Sequence, residues 1–359
     1  MDNRTIVILG ITGSIGIQTV EVIQSLGNFH ILGGTYHKNK DLADAISQKH
    51  NLSNLISTSR GYDLAIEMLE KLRPDITLVA IPGFSSLILA LKAIEVSKRV
   101  LLASKEALVC GGWLIKEKLK NCETNLIPVD SEHTALMQIY EEPFEEVIIT
   151  SSGGALRDWE LHNLHNAKPK DVLKHPVWKM GERITVDSAT MVNKAFEVFE
   201  ASEYFNIPIS KIRVLIHKEG IVHAGILLCD STIKLHLGFA DMKVPIAYAL
   251  TYPERKYKKP SWPDLVNTNL SFENVDETRY PAFKLLYEIS ENYAKRTAYN
   301  ASDEIAVQNF LKEKIKFTDI PKVIEKVVES TNGQVRDLKD LIQIDKESRK
   351  KALEVIRCL

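Results

Sequence analysis

Much of what this chain lacks bears on its function. It has four cysteines in 359 residues (Cys110, Cys122, Cys229, Cys358), with no C-x-x-C pair and no zinc-ligand spacing. Such usage indicates buried or incidental thiols, not a disulfide frame or a structural zinc module. The longest apolar runs, "ITLVAIPGF" and "RVLLA", are strand-length, far short of the ~20 residues that a membrane helix needs. Formal net charge is −1, which gives no electrostatic basis for nucleic acid or an anionic membrane as the main partner. "RTIVILG" starts a strand within a few residues of the N-terminus, so no cleavable signal is expected and the expected compartment is the cytoplasm. Repeats are absent from the sequence. The charged, Pro-rich "TYPERKYKKPSWPD" (251–264) reads as a linker.

What is present describes a multidomain globular protein. Hydrophobic residues make up 45% and charged residues 26%, and the length exceeds what one core usually serves. The first half alternates apolar runs ("TIVILG", "FHILGGTY", "DITLVAI", "RVLLAS", "TNLIPV", "EEVIIT") with helical patterns, which predicts a parallel sheet covered on both faces. "IRVLIHKEGIVHAGILLCDSTIKLHLGF" predicts strands of a smaller, partly antiparallel sheet, and the chain beyond about 280 predicts helices.

Three constellations carry chemistry. In "TIVILGITGSIGIQTVEVI" (5–23), Gly10, Gly13 and Gly16 follow a strand and open a helix, as in a dinucleotide site. The second strand ends in "TYHKNK" (35–40) with no acid before Asp41, and Lys38 with Asn39 suits a 2′-phosphate, so the expected cofactor is NADPH. In "LIPVDSEHTALMQ" (126–138), Asp130 and Glu132 stand at a strand–helix junction, where they can cap the helix or converge on a hard cation. "RITVDSATMVNKAFEVFEASEYF" (183–205) again reads as strand, Val-Asp-Ser, helix. Asn193, Lys194 and Glu197 share one face there, either a solvated face or part of a site. "ITSSGGALRDW" (149–159) offers hydroxyls and glycines for an anion, and the loop "LKHPVWKMGER" (173–183) is either a lid that closes over a ligand, with Gly181 as a hinge, or a surface loop whose Trp packs locally. His217 and His223, six apart, are placed on one strand face; His217 reads as structural and His223 is left open.

Taken together, "GITGSIG" (10–16), "ASKEALVCGG" (103–112), "PVDSEH" (128–133), "SSGGALRDW" (151–159), "HPVWKMG" (175–181), "VDSATMVNKAFEVFEA" (186–201) and "RTAYNASDEIAVQNFL" (296–311) resemble the 1-deoxy-D-xylulose 5-phosphate reductoisomerase family nearly end to end. The resemblance implies an NADP-dependent oxidoreductase of the non-mevalonate isoprenoid pathway. It would convert 1-deoxy-D-xylulose 5-phosphate to 2-C-methyl-D-erythritol 4-phosphate with NADPH and Mg²⁺ or Mn²⁺.

By motif, the resemblance implies Asp130, Glu132 and Glu197 as metal ligands. With Lys105 they form the catalytic set. Substrate would be held by Lys105, Ser131, Glu132, Ser152, His175, Trp178, Ser188, Asn193, Lys194 and Glu197. Cofactor would be held by Thr12, Gly13, Ser14, Ile15, Lys38, Asn39, Ser104, Glu106 and Gly181. Ser104 stands where the family usually has Asn, and His37 where it has Gly; "HKEGIVH" lacks the usual Pro-Gln-Ser. The implied architecture is a Rossmann-like doubly wound domain (1–149), an α+β catalytic domain (150–255) with a lid loop (173–183), a linker (256–280) and a helical domain (281–359). A homodimer is implied by the resemblance alone. All-oxygen ligands agree with a hard divalent ion, because three carboxylates without a cation repel one another. A semialdehyde dehydrogenase would need an activated Cys that Cys110 does not provide, and a silent NADP sensor would have no use for the acids.

Overall fold

The computed structural model describes residues 4–178, 180–258 and 263–359. Part of the 251–264 segment read as a linker, 259–262, lies outside them, as does Lys179 of the loop 173–183. Two compact units emerge, one within 1–107, 113–134 and 241–261, the other within 108–112, 135–240 and 262–359.

The first unit holds β1 (Arg4–Leu9), β2 (Phe29–Tyr36), β3 (Leu55–Ser57), β4 (Ile76–Val79), β5 (Arg99–Leu102) and β6 (Asn125–Pro128). They pair in parallel in the order β3-β2-β1-β4-β5-β6. Ile6, Val7, Ile8 and Leu9 are fully buried, as a strand covered by helices on both sides requires. The strand order reverses between β1 and β4, and in such sheets the crevice outside the strand carboxyl ends at that point receives the ligand. Gly10 makes the crevice possible. Its φ is +94°, and a Cβ there would lie 2.4 Å from the Ala80 carbonyl oxygen just past β4.

The second unit holds β7 (Phe144–Ser151), β8 (Ile212–Ile216), β9 (Val222–Leu228), β10 (Ile233–Leu237) and β11 (Glu273–Asn274), in the order β10-β9-β7-β8-β11. Only β7 and β8 run parallel; the other pairs are antiparallel. The run "EEVIIT", grouped by sequence with the parallel sheet, therefore pairs in the second one. An apolar strand looks the same in either sheet, and its partner is chosen by the fold. A second correction concerns 183–187, expected as strand: Glu182–Ala189 is helix. A third is that His217 follows β8 whereas His223 lies in β9, so a turn separates them and they share no strand face.

The expected C-terminal helices are Pro281–Ile289, Tyr293–Leu311, Asp319–Ser330 and Leu338–Arg357. Tyr293–Leu311 packs against the two helices that follow it. Its Arg296 is buried, donating to Glu203 Oε1 at 2.8 Å and to the Leu108 carbonyl at 3.1 Å. The guanidinium also lies over the rings of Tyr293 (4.4 Å) and Phe199 (4.6 Å). Arg296→Met keeps the bulk and removes the charge from beside a buried carboxylate. The expected loss is about 3–5 kcal/mol of stability, read as a lower urea midpoint at unchanged m-value. A midpoint within error of the parent would show that the ion pair is not a structural support.

Candidate active site

In the first unit the residues expected at the site gather at the carboxyl ends of the parallel strands. The turn Ile11–Gly13 follows β1, and the helix Ser14–Leu26 starts with Gly13 as its cap and offers its first-turn N–H groups to an anion. Ser14 is exposed, and Thr12 and Ile15 are half-buried. Lys38 is exposed after β2. Asn39 caps the next helix, Lys40–His50, accepting from the Leu42 N–H at 3.2 Å, so its side chain fixes the backbone beside Lys38. Glu106 is buried, and its carboxylate accepts from the Gly83 N–H at 2.8 Å, ordering the loop after β4. Ser104 Oγ donates to the Ile81 carbonyl at 2.6 Å in the same loop. The Ser that replaces the expected Asn therefore serves the loop backbone.

Asp130, past the end of β6, answers to both readings of its junction. Its Oδ1 accepts from the Glu132 N–H at 3.3 Å, a capping bond. Its carboxylate also pairs with the Lys105 ammonium and with His133 Nδ1 at 3.0 Å. Burial alone would push the Asp130 carboxyl up, but Lys105 and His133 outweigh it and hold the group well below the usual carboxylate range. Ser131 donates its hydroxyl to the half-buried Glu132 carboxylate. His133, fully buried, is a partner with no role expected from the motif "PVDSEH"; its position one turn after Asp130 is the signal that the sequence carries.

In the second unit, three side chains meet. His175 Nε2 lies 3.1 Å from Ser152 Oγ and 3.0 Å from Ser188 Oγ. Its Nδ1 accepts from the N–H groups of Val177 (3.2 Å) and Trp178 (2.8 Å). Two donors aimed at Nδ1 leave no room for a proton there, so the imidazole is neutral and carries its hydrogen on Nε2. Burial, with Arg157 and Lys194 nearby, lowers its pKa to about 4 in agreement. The cradle is thus a neutral N–H and two hydroxyls.

Each member is held from behind. Gly154 has φ +74°, and a Cβ there would come within 2.5 Å of Ala189 Cα, so the glycine lets the Ser152 turn approach the helix carrying Ser188. Arg157 Nη1 donates to the Ser152 carbonyl at 2.7 Å, a support that the sequence reading missed. Arg183, at the start of the Ser188 helix, bonds Asn300 at 3.2 Å and Asp303 at 3.3 Å on the Tyr293–Leu311 helix.

On the helix Val192–Phe205, Glu197 receives Asn193 Nδ2 at 2.6 Å and pairs with the Lys194 ammonium. Lys194 and Glu197 are both buried, so this polar face is not a solvated one. Trp178 lies with its ring centroid 5.9 Å from that of His223. Gly181 is exposed, caps the helix Glu182–Ala189 with φ −64° and has nothing within 4 Å of an added Cβ, so neither strain nor crowding demands glycine there. His217 is structural as expected, its Nδ1 2.9 Å from the Ser271 carbonyl and its ring stacked on Phe272.

Family profiles match at residues 6–60 and 53–112 (1-deoxy-D-xylulose 5-phosphate reductoisomerase), 126–205 (its C-terminal domain) and 237–351 (DXP reductoisomerase C-terminal domain). The chain is 50% identical to the Thermotoga maritima 1-deoxy-D-xylulose 5-phosphate reductoisomerase, over 100% of this chain and 99% of that one. It is 36% identical to the Caldanaerobacter subterraneus enzyme of the same name, over 98% of each. Among solved structures, the Zymomonas mobilis reductoisomerase in complex with NADPH aligns with TM-score 0.89 at 33% identity over 100% of both chains. A reductoisomerase in complex with NADPH, fosmidomycin and magnesium aligns with TM-score 0.92 at 30% identity, over 99% of this chain and 98% of that one. With half its residues identical to one such enzyme from end to end, the chain belongs to the 1-deoxy-D-xylulose 5-phosphate reductoisomerase family.

Proposed function

We propose that this chain converts 1-deoxy-D-xylulose 5-phosphate to 2-C-methyl-D-erythritol 4-phosphate, using NADPH and a divalent cation. The observation that carries this reading is the meeting of Ser152, His175 and Ser188 around one point, on the same unit as the buried Lys194. Hydroxyls and a neutral N–H supply directed hydrogen bonds to phosphate oxygens, and Lys194 supplies the charge. Asn193 orients Glu197 and stands beside the phosphate. Asp130, Glu132 and Glu197 are the metal ligands, an all-oxygen set suited to Mg²⁺ or Mn²⁺. When bound, the cation stabilises the negative oxygen that develops as the carbon–carbon bond breaks and re-forms. Lys105 and Ser131 hold the hydroxyl end of the substrate, and Lys105 keeps Asp130 ionised. Trp178, with the described part of 173–183, covers the substrate and excludes water while the aldehyde awaits hydride.

NADPH would be held by Thr12, Gly13, Ser14, Ile15, Ser104 and Glu106 at the carboxyl ends of the first unit's strands, and the family resemblance also assigns Gly181 to it. Lys38 and the backbone fixed by Asn39 take its 2′-phosphate. No helix among the described residues is long and apolar enough to cross a membrane. The enzyme works as a homodimer in the cytoplasm, a reading supported by family resemblance.

Glu197→Gln preserves shape and removes one ligand charge. Calorimetric titration should show weakened Mg²⁺ binding with NADPH affinity little changed, and turnover should be lost; parent activity at limiting metal would sink the ligand assignment. For Lys38→Ala, NADPH affinity should fall about tenfold or more while NADH affinity barely moves, since a charge-assisted contact of ~1.5–3 kcal/mol is removed. Equal losses for both cofactors would reject the 2′-phosphate role.

His175 should titrate near 4 by nitrogen NMR, as the Nε2–H tautomer at neutral pH. Its folded pKa is lowered from 6.5, so the unfolded chain binds the proton more tightly. The stability it contributes is therefore present above 6.5 and lost as pH falls toward 4. An imidazolium at neutral pH would refute the neutral cradle.

A further inference from the structure

We infer that Gly220, in the "HKEGIVH" turn between β8 and β9, is a positioning residue: its bare backbone is the seat on which Val177 of the covering loop rests, and this seat sets the hydrogen bonding of His175. The inference deepens the covering-loop reading above and rests on it. Gly220 has φ +65°, and a Cβ there would lie 2.8 Å from Val177 Cγ1 and 3.2 Å from Cγ2. At under 3.0 Å something must shift, so a side chain at 220 presses on the Val177 side chain and on the loop that carries it.

The seat is held from three sides. The Glu219 carboxylate accepts from Ser271 Oγ at 2.7 Å and lies 3.0 Å from His217 Nδ1. The Lys218 ammonium lies 3.0 Å from Glu273 and 3.5 Å from Asp158. Arg157, which donates to the Ser152 carbonyl, also reaches the Lys218 carbonyl at 3.5 Å. A turn anchored in this way does not yield easily, so added bulk at 220 displaces the loop.

Displacement matters because the Val177 and Trp178 N–H groups are the donors to His175 Nδ1. Moving them away removes the reason for His175 to keep its hydrogen on Nε2, where it faces the two serine hydroxyls. Phosphate binding weakens as a result. The phosphate is held alike before and during the chemistry, so the loss appears in KM and little in kcat.

The experiment uses the full-length enzyme with NADPH, saturating Mg²⁺ and 1-deoxy-D-xylulose 5-phosphate. Asn accepts a left-handed backbone better than other residues with a Cβ, so Gly220→Asn adds bulk at little backbone strain. KM should rise about tenfold, the loss expected for one directed hydrogen bond to a charged group, with kcat changed less than about twofold. Amide exchange at Val177 and Trp178 should quicken, and Val177→Ala in the same chain should restore KM. Val177→Leu, which crowds the contact from the loop side, should raise KM without touching the turn. Gly220→Asn at parent KM, while Trp178→Ala is impaired, overturns the seat and leaves the covering loop standing. If Trp178→Ala is also at parent values, the covering-loop reading falls with it. A KM defect that Val177→Ala does not restore makes Gly220 a residue of turn folding alone, which also overturns the inference.

Discussion

Taking a carboxylate or ammonium out of water costs several kcal/mol unless another group replaces the lost hydration. Much of this chain is arranged around that constraint. Lys105 with Asp130, Lys194 with Glu197, and Arg296 with Glu203 are buried pairs within their units, each with at least one further polar partner. Two of them belong to the proposed site, where the groups that make the interior tolerable for Asp130 and Glu197 would also border the substrate. The third ties the helix Val192–Phe205 to the terminal helix Tyr293–Leu311.

The cradle proposed for the phosphate meets the constraint differently. Its imidazole is kept neutral by two backbone donors, and its other polar groups are hydroxyls. A neutral cradle costs little to bury when empty of ligand charge and still directs three hydrogen bonds. Positive charge enters through Lys194, already paired with Glu197. In the proposed reaction the phosphate and Glu197 therefore share one lysine, so a change at either should be felt at the other.

Support comes from elements distant in sequence. Arg157 fixes the Ser152 turn, Arg183 fixes the Ser188 helix on Asn300 and Asp303, and Gly220 admits Val177. None of these touches substrate in the proposed reaction, yet together they set where the hydroxyls and the imidazole point.

By itself the sequence determined the parallel sheet, because buried strands on both faces must be continuous apolar runs, and the Gly-rich turn after β1, because close backbone approach tolerates no Cβ. Its local motifs also named Ser152, His175 and Ser188, Lys105 and Asp130, and Lys194 and Glu197, groups that the fold joins within each unit. Only the tertiary structure decided that β7 pairs in the second sheet and that 182–189 is helix rather than strand. Strand partners and the choice between helix and strand in a short mixed run depend on what packs against them, and local pattern carries no record of it. The same holds for the polar face of Val192–Phe205: its spacing is that of any solvated helix, and only packing shows Lys194 and Glu197 buried. The protonation of His175 was likewise settled in three dimensions, since it is fixed by the two N–H groups aimed at Nδ1 and by burial, and neither is written in the identity of the residue.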